Sequence, residues 1–207
     1  MEDEIHHTST IGVVILAAGE SSRMGEPKQL LPYSGTTLLQ HTIDIAQSSR
    51  AKPVIVVLGA NAGIIQEEVK TDTAICVTNA SWREGIASSI RCGVNHMVQA
   101  NLPPDAVILM VADQPFVTST LLNALADQYI NHRHPVVASK YEETLGTPVL
   151  FDKQYWPQLL ALKGDEGAKS LIYKNIDLAA FVSFPKGKID VDTKEDFSNL
   201  MDSKSDL

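Results

Sequence analysis

Basic charge is in short supply: 17 Lys and Arg stand against 25 Asp and Glu in 207 residues, a formal net charge of -8. Gripping a polynucleotide backbone takes a broad basic surface, so no duplex DNA or RNA partner is expected. A small phosphorylated ligand is still open to an acidic chain, because it needs only a few local cations, backbone N–H groups and a metal ion. No apolar run approaches the roughly 20 residues that cross a bilayer, and the polar start MEDEIHHTST lacks the basic and apolar parts of a signal peptide, so a cytoplasmic protein off the membrane is expected. Cysteine is also scarce. Cys76 and Cys92 have no CxxC spacing and no histidine cluster beside them, which reads as two free buried thiols rather than a disulfide or metal site. There is no internal repeat or low-complexity tract, and the polar tail MDSKSDL is expected to fray.

What is present is enough apolar sequence, 44 % of the residues, to bury one sizeable core. Strand-like runs stand at 11–16, 53–58, 74–77, 106–111, 135–139 and 147–151, most of them separated by segments of helical period. The runs GVVIL, PVIVVL and AVILMV are apolar throughout, as in strands covered on both faces. The expected fold is therefore α/β: a doubly wound, mostly parallel sheet in a three-layer αβα arrangement. Helix starts are marked by Thr36, by Thr118, and by Thr193 with Asp196 in a capping-box spacing. Between Lys140 and Asp165 we expect a polar loop, a short strand beginning near Gly146-Thr147-Pro148, and a helix over 152–162, together forming an inserted section that faces a substrate.

The segment Leu16-Ala17-Ala18-Gly19-Glu20-Ser21-Ser22-Arg23-Met24-Gly25-Glu26-Pro27-Lys28 directly follows the first strand. It thus lies at a strand's carboxyl end, where open α/β sheets bind ligands. Small residues at Ala17, Ala18 and Gly19 let phosphate approach the backbone, and positive φ at Gly19 and Gly25 would turn successive N–H groups into one concavity. Arg23 offers a fork of donors and Lys28 a mobile point charge, so the segment reads as an anion cradle. Neither GK[ST] at Walker spacing nor GxGxxG occurs, which disfavours a P-loop ATPase and a dinucleotide oxidoreductase. Asp113 ends the run AVILMVA and should emerge at the same edge, as a hard oxygen ligand for magnesium. Asp190 and Asp192 share a face if their segment is extended; either is a candidate second ligand, and Asp192 is equally readable as a turn or cap residue before Thr193. Gly85, Ser88 and Ser89 offer compact polar groups near the start of an amphipathic helix. Trp82 and Trp156 read as packing residues, and His132-Arg133-His134 as a solvated helix end.

This stretch resembles the LAAGxSxRMGxxK signature of the MobA-like nucleotidyltransferases at every fixed position, and among them it most resembles the molybdenum cofactor cytidylyltransferases. The likeness continues in order through Asn79, Trp82, Gly85, Ser88 and Ser89; Asp113-Gln114-Pro115; Gly146-Thr147-Pro148; Gly164-Asp165-Glu166-Gly167-Ala168; and Asp190-Val191-Asp192-Thr193-Lys194-Glu195-Asp196. The last motif usually carries proline where this chain has Lys194. The resemblance implies a nucleotide-diphospho-sugar transferase-like, Rossmann-type fold in one domain, with residues 11–115 receiving nucleotide and 116–200 the acceptor.

It further implies Arg23, Lys28 and Asp113 as the catalytic set; Leu16 to Gly19, Asn79, Gly85 and Ser88 as further nucleotide contacts; and Asp113 with Asp190 as ligands of Mg2+. Gln114, Gly146, Thr147, Pro148, Asp165 and Gly167 would face the acceptor. The implied reaction is attack by the terminal phosphate of a molybdopterin-type cofactor on the α-phosphorus of CTP, with diphosphate released. The product would pass to a molybdenum hydroxylase apoenzyme. Ala18, where guanylyltransferases tend to have glycine, favours CTP over GTP. A guanylyl or sugar-phosphate transferase, a non-catalytic cofactor carrier and a redox enzyme on the same scaffold are the competing readings.

Overall fold

Strand β1 (Ile11–Ala17) is buried along its whole length, which is what an apolar run without alternation requires. The computed structural model describes residues 9–70 and 74–205. The expectation for the first eight residues therefore lies outside the described chain. Beside β1 run β4 (Val54–Leu58) and β6 (Ala106–Val111), both parallel to it. β5 (Ile75–Thr78) extends the sheet beyond β4. On the other side β8 (Thr144–Asp152) pairs antiparallel with β6 and with β7 (Val136–Tyr141), and β9 (Ala179–Ser183) pairs parallel with β7. The resulting order is β5-β4-β1-β6-β8-β7-β9.

Helices cover both faces, because alternate side chains of each central strand point to opposite sides. Val13 and Ile15 join a cluster with Leu39 and Ile43 of α1 (Leu38–Gln47), Ile65 of α2 (Ala62–Glu68) and Leu122 and Leu125 of α4 (Ser119–His132). Val14 and Leu16 join another with Ile90 and Val94 of α3 (Ile86–Val98), Leu159 of α5 (Trp156–Leu160) and Leu171 of α6 (Lys169–Lys174). This is the three-layer, mostly parallel αβα fold expected of nucleotide-diphospho-sugar transferases. A third cluster sits outside the sheet. Met24, Leu31, Tyr33 and Leu38 meet Val191 and Leu200, tying the loop after β1 to α7 (Lys194–Ser205).

Several local expectations need correction. Thr37, not Thr36, caps α1, its hydroxyl accepting from Gln40 N at 3.1 Å, and Thr36 pairs with Tyr33 in a two-stranded ribbon of β2 (Pro32–Tyr33) and β3 (Thr36–Thr37). The polar loop expected after Lys140 is a hairpin: β7 continues to Tyr141, Glu142 turns with φ 53°, and β8 begins at Thr144. The helix expected over 152–162 is shorter, since Asp152 ends β8 and caps a 3-10 turn over Lys153–Tyr155 before α5 begins. α7 carries Leu200 into the third cluster and runs to Ser205, and the last two residues of the polar tail lie outside the described residues. Thr118 caps α4 as expected, accepting from Leu121 N at 3.2 Å. Among the described residues no helix is long and apolar enough to cross a membrane. Cys76 and Cys92 are both free thiols, pushed up in pKa by burial.

Candidate functional site

The chain leaves β1 toward β4 on one side, while β6 pairs with β1 on the other, so the sheet's switch point lies between β1 and β6. Both strands end at one crevice, as the general rule for open α/β sheets requires. A cleft of about 570 Å³ opens there, floored by Leu16 to Gly19 and Val111 to Asp113 and walled by Trp82, Arg83, Gly85, Ile86 and Ser89. Its size suits a nucleotide-sized ligand.

The loop after β1 is braced from within. Gln29, buried to 2 % exposure, donates through Nε2 to Ala17 O at 2.9 Å and Gly19 O at 3.0 Å. Ser21 Oγ accepts from Lys28 N at 3.1 Å. The left-handed residues are Ser21 (φ 59°) and Gly25 (φ 76°); Gly19 does not adopt positive φ, so that expectation is corrected. What Gly19 supplies is room, since a Cβ there would meet nothing within 4 Å. Gln29 and Met24 are the two residues of this loop whose part sequence reasoning missed. Met24, 1 % exposed, pins the loop against Val191 and Leu200.

Lys28 and Asp113 meet across the cleft, with Nζ 2.6 Å from Asp113 Oδ2. The same ammonium lies 2.8 Å from Asp192 Oδ1, and Arg23 donates to Asp192 Oδ2 at 2.9 Å. Asp192 reaches this position because Val191 N donates to Asp113 O at 3.0 Å, docking the chain before α7 beside the end of β6. The capping box then fixes the start of α7: Thr193 N donates to Asp196 Oδ2 at 2.8 Å and Asp196 N to Thr193 Oγ1 at 3.1 Å.

The electrostatics follow from this crowding. Burial favours a neutral Lys28, but the charges and hydrogen bonds of Asp113 and Asp192 outweigh it and raise its pKa, so it stays cationic. The hydrogen bond from Lys28 holds Asp192 below the usual carboxylate range. Asp190 is pushed up to about 6 by desolvation and by the charges of Asp113 and Asp192, with Lys28 and Gln114 opposing. Three carboxylates share too little positive charge.

The remaining candidates separate into three places. Gln114, 4 % exposed, donates to Gly187 O at 2.7 Å and accepts from Thr147 Oγ1 at 3.1 Å, so it joins the Gly146-Thr147-Pro148 part of β8. The Gly146 backbone passes so close to Tyr141 that a Cβ would lie 2.1 Å from its hydroxyl. Asp165 and Gly167 are not at this strand: they pack against the start of α3, where a Cβ on Gly85 would lie 2.4 Å from Asp165 Oδ1. Asn79 and Ser88 stand behind the cleft wall. Asn79 Nδ2 donates to Ser88 Oγ at 2.8 Å and Ser89 Oγ at 3.0 Å, so its donors hold the first turn of α3, and Ser89 is the serine that lines the cleft. Trp82, expected only to pack, also lines the cleft and carries Arg83 stacked 4.3 Å from its ring centre.

Among the described residues no three His, Cys, Asp or Glu side chains converge on a ready metal cage. A hard divalent ion can be held by one or two carboxylates and complete its shell with water and substrate phosphates. Lys28 Nζ, between Asp113 and Asp192, shows that a cation is stable between these two oxygens, so the donor set fits a hard divalent ion.

A loop carrying Arg23 and Lys28 thus faces a carboxylate pair at the switch point of a sheet with one antiparallel strand. The family model for the MobA-like NTP transferase domain matches residues 13–179, and the chain belongs to that family. It is 28% identical to nicotine blue oxidoreductase of Paenarthrobacter nicotinovorans, over 91% of this chain and 95% of that one. It is also 28% identical to the purine catabolism protein PucB of Bacillus subtilis, over 89% and 92%. The crystal structure of Rv0371c from Mycobacterium tuberculosis superposes with a TM-score of 0.80 at 28% identity, covering 94% of this chain and 98% of that one. The same protein has been solved in complex with manganese, at 27% identity and a TM-score of 0.79.

Proposed function

We propose that this protein transfers CMP from CTP to a molybdopterin-type cofactor and releases diphosphate. The observation that carries the transferase part is the convergence of Arg23 and Lys28, from the loop after β1, on Asp113 and Asp192 at the mouth of the cleft. The choice of CTP rests on the family resemblance and on Ala18 at the cleft floor.

In this reading the nucleotide lies along Leu16 to Gly19, with its base and ribose toward Gly85 and Ser89 and its triphosphate toward Arg23 and Lys28. The acceptor phosphate enters from the side of Gln114 and Thr147. One of its oxygens forms a bond to the α-phosphorus as the bond to the bridging oxygen of the leaving diphosphate breaks. Arg23 and Lys28 take up the charge that develops on diphosphate, and Asp113 with Asp192 or Asp190 would hold a divalent ion. When bound, that ion supplies Lewis-acid neutralisation of the phosphate oxygens. No side-chain nucleophile is needed, because positioning and charge stabilisation dominate such transfers. A manganese complex of a relative supports a divalent requirement, with magnesium as the ion we propose.

The test is diphosphate release from CTP, GTP, ATP and UTP with a molybdopterin-type acceptor and Mg2+ or Mn2+. CTP turnover at least about tenfold above GTP in kcat/KM is expected, a difference of about 1.4 kcal/mol in transition-state binding. GTP consumed faster would replace the cytidylyl reading by a guanylyl one, and acceptance of a sugar phosphate would move the acceptor. Cofactor binding without any diphosphate release would make the protein a carrier that serves a molybdenum hydroxylase apoenzyme. One relative is named as an oxidoreductase, which gives a redox reading a specific footing. Reduction of a dye by a nicotinamide cofactor, with no diphosphate from any nucleotide, would establish it.

A further inference from the structure

The carboxylates that would receive a metal-bound triphosphate are already engaged by one of the loop's own cations. Asp113 and Asp192 each give an oxygen to Lys28 Nζ, at 2.6 and 2.8 Å, and the second oxygen of Asp192 takes Arg23 at 2.9 Å. The two cations are not held alike. The Lys28 and Asp113 side chains are only 16% and 21% exposed, whereas Arg23 is 67% exposed. Screening leaves the Arg23 contact weak, while the Lys28–Asp113 contact is shielded from solvent.

A magnesium ion sits about 2.0–2.1 Å from its carboxylate oxygens. With an ammonium at hydrogen-bond distance from the same oxygens, the two cations would face each other at roughly 3–4 Å with little water between them, and their repulsion is large in such a setting. On Asp113 Oδ2 and Asp192 Oδ1, the oxygens that Lys28 holds, the two cations therefore compete. We propose that Lys28 is an exchangeable cation: it holds Asp113 and Asp192 together until a metal-bound triphosphate takes them, and it then transfers to the phosphates. This rests on the nucleotidyltransferase reading above and adds to it a rule for the order of binding.

Metal alone must displace Lys28 with no new partner to offer it, so it binds weakly. Metal with triphosphate gives the ammonium an anion to move to, so each ligand strengthens the other, by the same factor in both directions. Asp192 is then the residue that parks both loop cations, and its attachment to Asp113 through Val191 N keeps the parking place beside the cleft. The loop and the segment before α7 are joined through Lys28 and Arg23 before exchange, and through Met24 throughout.

The experiment is Mn2+ binding by the full chain, read from the electron paramagnetic resonance signal of the free ion, with and without CTP. The proteins are the natural sequence, Lys28→Met, Lys28→Gln and Asp113→Asn. Without nucleotide, Lys28→Met and Lys28→Gln are expected to bind Mn2+ about tenfold or more tightly than the natural protein, as removal of a neighbouring like charge requires. Addition of CTP should tighten Mn2+ strongly in the natural protein and much less in the Lys28 variants. A Lys28 variant that is folded by circular dichroism and binds Mn2+ no more tightly than the natural protein overturns the exchange, even if CTP and Mn2+ still help each other. If CTP and Mn2+ are indifferent to each other and Asp113→Asn changes neither, the nucleotidyltransferase reading itself fails, and the exchange fails with it.

Discussion

Arg23 and Lys28 carry the same charge on the same loop, yet their surroundings divide their duties. Arg23 is mostly in water and its pair with Asp192 is worth about 0–1 kcal/mol, so it leaves that partner at little cost when phosphate arrives. Arg23→Ala should therefore leave thermal stability within about 0.5 kcal/mol, while lowering kcat/KM for diphosphate release by roughly a hundredfold or more, as for one lost transition-state donor. Turnover within a few-fold of normal would remove Arg23 from the chemistry. Both cations and Asp113 were legible in the sequence because they sit in contiguous signatures at strand ends. The double acceptance by Asp192 was not, since its partners lie 164 and 169 positions away and no local pattern encodes who meets across a cleft. Gln29 was hidden for a related reason. Its value lies in two carbonyls that turn back toward it only once the loop is folded.

At the level of elements, α7 shows how a helix start positions a site it does not itself line. The Asp196 carboxylate accepts from the N–H groups of Asp192 and Thr193 and from the Thr193 hydroxyl, which holds the chain bearing Asp192 in place. Those contacts, the Thr193 hydroxyl foremost, keep the Asp196 carboxyl below its ordinary value of 3.8. A depressed folded-state pKa gives stability that is complete above the unfolded value and lost as pH falls through the folded one. The natural protein should therefore lose α7 docking progressively below about pH 4. Asp196→Ala should cost about 1 kcal/mol at neutral pH and flatten that acid limb, measured by urea titration across pH. An unchanged acid limb would assign the loss to other carboxylates. The central strands were readable as uninterrupted apolar runs. β9 was not, because at the sheet edge its residues are only partly buried or exposed and carry no such run. The β7–β8 hairpin was mistaken for a loop because Glu142 and Glu143 make its turn polar.

For the molecule as a whole, the decisive feature is that one sheet runs through both the part read as nucleotide-binding and the part read as acceptor-binding. β6 is paired on one edge with β1 and on the other with β8, so separating the parts would strip hydrogen bonds from the sheet's interior. The two parts should then unfold as one unit, and the two tryptophans allow this to be measured. Trp82 lines the cleft, whereas Trp156, the first residue of α5, is buried in the core. Fluorescence of Trp82→Phe and Trp156→Phe variants each reports the part that keeps its tryptophan, and coincident denaturant midpoints, after correction for each variant's own stability, are the expected result. CTP with Mn2+ at about a hundred times their dissociation constant should stabilise the native state by about 2.7 kcal/mol. In a chain of this size that moves a thermal midpoint by roughly 5–10 °C. The shift should appear equally through Trp156, although that side chain does not line the cleft, because ligand binding to one wall stabilises a sheet that cannot come apart by halves. A shift seen through Trp82 alone would mean that the parts fold separately, and the site would then have to be described as an interface between two independent units.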